Sequence, residues 1–240
     1  MDWGIGRVGK YTSLSHDPDG HPAIVYVIDA GLNFLIYAFH DGIKWTVKYL
    51  EAVLGEGFGK GLGSGIALTH GPAGQMAIAY TLHGDLKYAR QNGTNWTLSP
   101  VDADSVGFEP SISFGDGGHA AIALTTRGLK YAVHNGTSWT ITTVDIISAV
   151  ESAFKQASCS LNHGLSGQPA IAYYDMSNKD LKYAVFNGVS WTIQRVDSTG
   201  QVGEFPSLGF SPSGRPAISY YDATQKNLKI AIQKSFKGGP

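Results

Sequence analysis

The stretch that decides the fold runs from Gly167 to Thr192 and reads GQPAIAYYDMSNKDLKYAVFNGVSWT. It contains two runs, Pro169–Asp175 (PAIAYYD) and Leu181–Val185 (LKYAV), in which small or apolar residues alternate with aromatic or polar ones. That alternation is typical of half-buried β-strands. Asn187-Gly188 is a strong hairpin signal, because both residues tolerate positive φ angles. The stretch therefore predicts a strand, a loop, a second strand, a tight hairpin and a third strand.

Four further copies of this pattern occupy the rest of the chain. The clearest is Pro216–Asp222 (PAISYYD), and every fainter copy contains an Ala-Ile pair. The isoleucines of these pairs are Ile24, Ile78, Ile122, Ile171 and Ile218. They recur about every 48 residues, and such a period with several strands in each unit is typical of propellers. The sequence thus predicts a single β-propeller domain over residues 1–240, built from five repeats.

Each repeat divides into four predicted strands, named A to D in chain order. Strand B contains the Ala-Ile pair, strand A precedes it, and strand C contains Leu-Lys-Tyr-Ala or a close variant. In four repeats a tryptophan begins strand D shortly after an Asn-Gly or Asp-Gly pair. These tryptophans are Trp45, Trp96, Trp139 and Trp191. The predicted fold is all-β, a five-bladed β-propeller of four-stranded antiparallel blades.

The fifth repeat has no counterpart of strand D in the C-terminal residues. The N-terminal segment Trp3–Val8 (WGIGRV) matches Trp191–Val196 (WTIQRV) at four of six positions. A strand from the N-terminus that completes the last blade would leave few exposed sheet edges. We therefore expect the ring to be closed by this N-terminal strand.

Composition and charge argue against several classes of partner. The net charge is -1, only 15% of the residues are charged, and there is no basic tract, so nucleic acid is not an expected partner. No apolar run approaches the roughly 18 residues of a membrane span, so membrane insertion is not expected. The N-terminus lacks the pattern of a signal peptide. The single cysteine, Cys159, excludes an internal disulfide.

The repeat motifs carry a resemblance to known propellers. The series Pro-Ala-Ile-Ala-Tyr-Tyr-Asp, Leu-Lys-Tyr-Ala and Asn-Gly-x-x-Trp-Thr resembles the propeller repeats of bacterial surface proteins. In period and blade number the chain also resembles the five-bladed tachylectin-type lectins. The resemblance implies a secreted or cell-surface protein whose partners are glycans or glycoconjugates. The Asp-box of sialidase-type propellers, Ser-x-Asp-x-Gly-x-x-Trp, is absent.

Candidate ligand-binding residues lie where strand B leads into strand C. In a four-stranded blade the B-to-C and D-to-A loops emerge on one face, and binding residues usually lie on such variable loops. A tyrosine beside a carboxylate suits a sugar, because the ring stacks on its apolar face and the carboxylate accepts hydrogen bonds from its hydroxyl groups. The candidates are Tyr174, Asp175, Tyr221 and Asp222, with Asp29, His83 and Arg127 as divergent counterparts.

A structural role for the same aspartates stays open, since an aspartate at a turn can accept hydrogen bonds from the backbone. Two D-to-A loops on this face are enlarged. Residues 55–65 alternate glycine with other residues, and residues 148–157 have the capping pattern of a short helix.

Three other recurring residue types are interpreted as structural. The tryptophans of strand D are expected to pack between blades. Histidines of strand A alternate with phenylalanine at equivalent positions, which favours packing, so neither a metal site nor a cofactor is predicted. Lysines of strand C are expected to be solvated or to pack along their stems. The histidines are His16, His70 and His163, and the lysines are Lys87, Lys130, Lys182 and Lys229.

Two alternatives to a lectin remain open. A glycoside hydrolase or lyase would need carboxylates at the mouth of the central channel, where the starts of strand A place Glu109 and Glu204 near Tyr11 and Phe205. A protein–protein interaction propeller would need no such pair. No Ser/His/Asp or Cys/His arrangement can be recognised. The sequence therefore favours a non-catalytic, lectin-like propeller with pockets on the loop face.

Overall fold

The computed structural model describes residues 7–29, 32–54, 65–103, 108–147 and 157–233. Within these ranges the chain forms antiparallel β-strands joined by turns, and no helix there is long and apolar enough to cross a membrane. The strands form five sheets, numbered here in chain order. Sheets 1 to 4 have four strands each, and sheet 5 has three.

The strands of each sheet follow one another in sequence. Sheet 1 contains β1 (Arg7–His16), β2 (Pro22–Asp29), β3 (Leu32–His40) and β4 (Trp45–Leu54). Sheet 2 contains β5 (Ile66–His70), β6 (Met76–Leu82), β7 (Asp85–Asn92) and β8 (Asn95–Asp102). Sheet 3 contains β9 (Phe108–Phe114), β10 (Ala120–Thr125), β11 (Gly128–His134) and β12 (Trp139–Ile146). Sheet 4 contains β13 (Cys159–His163), β14 (Pro169–Asp175), β15 (Asp180–Phe186) and β16 (Trp191–Asp197). Sheet 5 contains β17 (Val202–Phe210), β18 (Pro216–Asp222) and β19 (Asn227–Ile232).

The predicted hairpin between strands C and D is confirmed. In sheet 4, the last residue pair before the hairpin is Phe186 with Trp191. Gly188 has a φ of 95°, a left-handed conformation that glycine adopts without steric cost. The Asn187 side chain accepts hydrogen bonds from the backbone N–H groups of Val189 (2.9 Å) and Ser190 (2.8 Å), which fixes the turn.

Consecutive sheets pack face to face. An apolar core lies at each junction, from sheets 1 and 2 through to sheets 4 and 5. Between sheets 3 and 4, for example, Ala123 and Leu129 pack with Leu161 and Ile171. The first strands of successive sheets contact one another in the order β1, β5, β9, β13 and β17. These strands therefore lie on the inner side of a curved stack, as strand A does in a propeller.

Serine side chains of strand A join neighbouring sheets. The Ser13 hydroxyl accepts a hydrogen bond from the backbone N–H of Leu68 at 3.0 Å. Ser111 accepts one from Leu161 at 2.9 Å. Serine hydroxyl groups of strand A thus accept backbone hydrogen bonds from the next sheet, on the inner side of these junctions.

The two ends of the stack expose faces that are buried elsewhere. Leu14 of sheet 1 is 57% exposed, whereas its equivalents in sheets 2 to 5 are between 5% and 7% exposed. At the other end Leu228 is 79% exposed, whereas the equivalent Leu181 of sheet 4 is fully buried. Ile230 and Ile232, on the same face as Leu228, are also exposed. In the described part of the chain, therefore, sheet 5 does not cover sheet 1 as each internal sheet covers the next.

One part of the predicted closing strand is corrected by the structure. Arg7 and Val8 pair with Asp29 and Ile28 of β2, so they belong to strand A of sheet 1. The rest of that predicted strand, residues 3–6, lies outside the described residues. So do nearly all of the two enlarged loops, residues 55–64 and 148–156.

Candidate functional site: grooves between neighbouring sheets

Asp175, a predicted ligand-binding residue, is buried and fully engaged within the protein. It ends β14 and is 2% exposed. Its carboxylate accepts hydrogen bonds from the backbone N–H of Ser177 (3.0 Å) and from the side chain of Asn178 (2.8 Å), and it pairs with Lys182 at 2.7 Å. Burial alone would raise its pKa, but the hydrogen bonds from Lys182 and Asn178 hold the pKa below its ordinary value. These contacts are those of a carboxylate that closes a turn.

The other residues of the two Tyr-Tyr-Asp copies differ in accessibility. Tyr174 is buried, and burial together with the charge of Glu204 raises its pKa to about 12. Asp222 is buried and accepts a hydrogen bond from the backbone N–H of Gln225 at 2.8 Å. Tyr221 is 36% exposed. Tyr221 pairs with Leu228 on the face of sheet 5 that is exposed at the end of the stack, whereas the equivalent Tyr174 is covered.

The three divergent counterparts occupy loop positions in other sheets. Asp29 ends β2 and pairs in register with Asn33. His83 is exposed in the β6–β7 turn, where its φ is 55°. Arg127 is exposed between β10 and β11, and its carbonyl accepts a hydrogen bond from the backbone N–H of Ile147 at 3.1 Å. The three therefore lie in three different sheets.

The residues named for the channel mouth share an unusual backbone. Tyr11, Glu109 and Phe205 occupy equivalent positions in strand A and have φ angles of 51°, 41° and 52°. Glu109 is exposed as a residue, but its carboxyl group is partly shielded from solvent, and this desolvation raises its pKa. Glu204 is buried, with its carboxylate accepting a hydrogen bond from the Gln201 side chain at 2.6 Å. Glu109 belongs to sheet 3 and Glu204 to sheet 5.

The strand C lysines were expected to be solvated or to pack along their stems, and the structure shows that they also form ion pairs with the preceding sheet. Lys182 of sheet 4 pairs with Asp145 of sheet 3 at 2.9 Å, and the buried Tyr173 hydroxyl donates to the same carboxylate at 2.6 Å. Tyr80 and Lys87 share Glu51 in the same way. The sequence does contain the signal, because an acidic residue follows each strand D tryptophan by six positions. These residues are Glu51, Asp102, Asp145 and Asp197.

The tryptophans pack between sheets as predicted, and they also help to line an open groove. Trp191 of sheet 4 meets Tyr131 of sheet 3 edge to face, with the ring centroids 5.1 Å apart. Beside this pair is a groove of about 780 Å³ between sheets 3 and 4, named groove 3/4. Its lining from sheet 3 is Tyr131, Val133, Thr140 and Thr142, and its lining from sheet 4 includes Gln168, Phe186, Val189 and Trp191.

The position of groove 3/4 differs from the loop face named by the sequence. The A-to-B turn of sheet 4 and its C-to-D hairpin both contribute to the lining, through residues 166–168 and 188–190. These turns lie at the opposite ends of the strands from the B-to-C loops. The residues predicted from the Tyr-Tyr-Asp motif therefore do not line this groove.

The chemistry of groove 3/4 is that of an aromatic platform bordered by hydroxyl groups. Trp191 and Phe186 offer apolar ring surface, while Thr140, Thr142 and Ser190 offer hydroxyl donors and acceptors. Neither a carboxylate nor a cationic side chain is among the described residues that line it. The groove thus suits a neutral ligand with one apolar face and several hydroxyl groups.

One group in the described chain has the spacing of possible metal ligands. Ligand atoms of Asp17, Asp19 and His21 lie within 4.8 Å of one another. Asp17 already accepts hydrogen bonds from the backbone N–H of His21 (2.7 Å) and from its ring (3.2 Å). These bonds close the A-to-B turn of sheet 1, so the group has a structural explanation.

No protein-family model matches this sequence, and no curated protein matches it either. Solved structures do resemble the fold. A protein of unknown function from Dyadobacter fermentans DSM 18053 superposes with a TM-score of 0.60 at 12% identity, over 95% of this chain and 80% of that one. The SapL1 lectin in complex with alpha methyl fucoside gives 0.59 at 11% identity, over 96% and 83%. The Aleuria aurantia lectin, a fungal lectin with a six-bladed β-propeller fold, gives 0.56 at 14% identity, over 97% and 80%.

These structural similarities agree with the stacking of the sheets in chain order and with the all-β secondary structure. At such low identity they bear on the fold alone. The described residues form an all-β structure whose antiparallel sheets are arranged as in a β-propeller.

Proposed function

We propose that this protein is a non-catalytic, lectin-like propeller that binds glycans in groove 3/4. The observation that carries the proposal is the groove itself, where Trp191 and Phe186 face the hydroxyl groups of Thr140 and Thr142. Stacking of an aromatic ring on a sugar, combined with hydrogen bonds to its hydroxyl groups, is a suitable recognition mode for such a lining. The volume of the groove is within the range of small-molecule sites.

The fold gives independent support. SapL1 was solved with alpha methyl fucoside, and the Aleuria aurantia lectin is described by its fucose recognition. Sharing a fold does not transfer the ligand, so a fucosylated glycan enters here as the first class to be tested. We further propose that the five sheets are five blades, and that the protein acts at the cell surface or after secretion.

A pocket on the loop face is a second proposal for the location of the site. Tyr221 is the observation for it, because this residue is exposed and lies next to the B-to-C loop of sheet 5, whereas Tyr174, Asp175 and Asp222 are buried. The enzyme alternative has less support, because Glu204, one of the two carboxylates it needs, is buried and accepts a hydrogen bond from the Gln201 side chain.

The experiment is a glycan array probed with the wild-type chain and with three single variants. Thr142→Arg places a long cationic side chain in groove 3/4, and Thr143→Arg places the same side chain on the next residue of β12, outside the groove. Both threonines are exposed, so neither change disturbs a core. Tyr221→Ala tests the loop face.

We expect Thr142→Arg to weaken binding at least about tenfold, while Thr143→Arg and Tyr221→Ala bind as the wild type does. Loss of binding in Tyr221→Ala alone would place the site at the loop face and overturn the assignment to groove 3/4. A wild-type chain that binds no glycan would contradict the proposed function.

A further inference from the structure

A second groove, between sheets 2 and 3, occupies the position equivalent to groove 3/4. It has a volume of about 570 Å³ and is named groove 2/3. Tyr88, Thr97 and Ser99 line it where Tyr131, Thr140 and Thr142 line groove 3/4. The two grooves therefore share the lining from strands C and D of their first sheet, and these positions can be compared one by one. The turn and hairpin that line groove 2/3 belong to its first sheet, sheet 2, whereas those that line groove 3/4 belong to its second sheet, sheet 4.

Several lining residues differ between the two grooves, and two of these differences change the chemistry most. Arg90 of β7 takes the place of Val133, and His134 of β11 takes the place of Phe186. Groove 2/3 also contains the amide side chains of Gln91 and Asn92. One groove is thus apolar with hydroxyl groups, whereas the other combines a cation, an imidazole and amides.

Arg90 is held in place but is not neutralised within the protein. It pairs in register with Ala77 on one side and with Thr97 on the other, so its backbone is fixed in the middle of sheet 2. The residue is exposed, and among the described residues no carboxylate lines the groove or forms an ion pair with it. A cation in a groove without a counter-charge favours an anionic ligand.

His134 is positioned to support such a ligand. Its ring stacks on Tyr88 with the centroids 6.3 Å apart, and it meets Trp139 edge to face at 5.0 Å. Its Nδ1 accepts a hydrogen bond from the backbone N–H of Gly136 at 3.1 Å. Burial and the charges of Arg90 and His119 lower the pKa of His134, so at neutral pH the proton lies on Nε2, which is then a donor.

We propose that groove 2/3 binds an acidic sugar, with the guanidinium of Arg90 pairing with the sugar carboxylate. The planar guanidinium matches a carboxylate with two parallel hydrogen bonds. The buried Tyr88 ring supports the ring of His134, and His134, Ser99, Gln91 and Asn92 offer hydrogen-bond partners for the sugar hydroxyl groups. The inference rests on the proposed function, which supplies the assumption that the ligand is a sugar. The preference for an acidic ligand rests on Arg90.

The test is a titration with methyl β-D-glucuronide, with methyl β-D-glucoside as the uncharged analogue. We expect the wild type to bind the glucuronide at least about tenfold more tightly. High salt, roughly 0.5 M, should remove most of that difference because it screens exposed charges. A 6-sulfated glucoside serves as a third probe, and tighter binding of the sulfate than of the carboxylate would overturn the assignment to a carboxylate.

The repeat offers matched variants. Arg90→Val installs the residue of groove 3/4, and it should abolish the preference for the glucuronide while leaving the fold intact. Val133→Arg in the Arg90→Val background moves the cation to groove 3/4, and the preference should return there. A preference that survives Arg90→Val would contradict the inference.

The outcomes also separate this inference from the proposed function. If the wild type binds a neutral glycan, Thr142→Arg prevents this binding and the glucuronide is not preferred, the acidic site is contradicted and the proposed lectin function is kept. Glucuronide binding that depends on Arg90, with no neutral glycan bound, would keep the acidic site and overturn the assignment of groove 3/4.

Discussion

Asp197 joins sheet 4 to sheet 5 through two neighbours. Its carboxylate accepts a hydrogen bond from the Tyr220 hydroxyl at 2.7 Å and forms an ion pair with Lys229. Burial alone would raise the pKa of Asp197, but the hydrogen bonds from Lys229 and Tyr220 lower it to about 2. One carboxylate at the end of β16 thus holds two side chains of the next sheet.

The lowered pKa of Asp197 gives a prediction about acid stability. A carboxylate whose pKa is depressed by folding stabilises the native state above its unfolded pKa of roughly 4, and this contribution is lost as the pH falls through about 2. We expect Asp197→Asn to lower the free energy of unfolding by about 1 kcal/mol at pH 7, since the cluster is partly exposed.

Urea denaturation at pH 7 and at steps from pH 4 to pH 2 measures this difference. The gap between Asp197→Asn and wild type should close towards pH 2. The exposed turn residue Asp19, changed to Asn, is the control and should show little effect at any pH. A gap for Asp197→Asn that is the same at pH 2 and pH 7 would contradict the account.

At this scale the sequence identified the recurring lysines of strand C, but it did not reveal that each of them meets an acidic residue. The lysine of one repeat contacts the acid of the preceding repeat, as Lys182 contacts Asp145. Alignment of repeats shows which residues are equivalent, whereas contact between repeats depends on how the sheets pack. The burial of Asp175 beneath Lys182 and Asn178 could not be predicted for the same reason.

Strand A of sheets 1 and 5 contains a β-bulge, which explains the glycine found there in both. The pairing of β17 with β18 shifts register at Gly203, and β1 shifts in the same way at Gly9. The φ angles are 103° at Gly203 and 90° at Gly9. A bulge of this kind uses a glycine because other residues pay for a left-handed backbone.

The surroundings of the two glycines differ, which gives a matched prediction. A Cβ added at Gly203 would lie 2.6 Å from the Cα of Leu181, whereas one added at Gly9 would meet no atom within 4 Å. We expect Gly9→Ala to cost about 1 kcal/mol for its backbone alone. Gly203→Ala should cost more than about 3 kcal/mol, because the backbone of sheet 4 would also have to move.

Thermal or urea unfolding of the two alanine variants tests this difference. Equal losses for Gly203→Ala and Gly9→Ala would show that the close packing of β17 on β15 does not hold in solution.

The sequence was most informative about individual strands and turns. Alternation and Asn-Gly pairs predicted strands B to D, because these features are local and each was present in several copies. The N-terminal strand was less well determined. Arg7 and Val8 fit strand D by their resemblance to Arg195 and Val196, yet they pair as strand A with β2.

The described residues form a curved stack of sheets in which each interior junction is closed, while the outer faces of the first and last sheets are exposed. Leu181 of sheet 4 is covered by sheet 5, whereas Leu228 at the equivalent position of sheet 5 is exposed. The arrangement of sheets follows from the repeat, since each copy presents the same pair of faces. Closure of the ring depends on contacts between the first and last copies, which no repeat pattern encodes.

The exposed face gives a prediction about stability. Leu181→Ala removes a fully buried side chain and should cost about 2–5 kcal/mol, whereas Leu228→Ala should cost less than about 1 kcal/mol. Urea unfolding of the two variants makes the comparison. Similar losses for Leu181→Ala and Leu228→Ala would mean that Leu228 is covered in solution, as the ring closure predicted from the N-terminal segment requires.

The most direct test of the account is a crystal structure of the chain with the glycan that binds most tightly on the array. The account predicts sugar density in groove 3/4, with the sugar ring against Trp191 and its hydroxyl groups near Thr140 and Thr142. Density at the loop face beside Tyr221, with groove 3/4 empty, would contradict the assignment of the site.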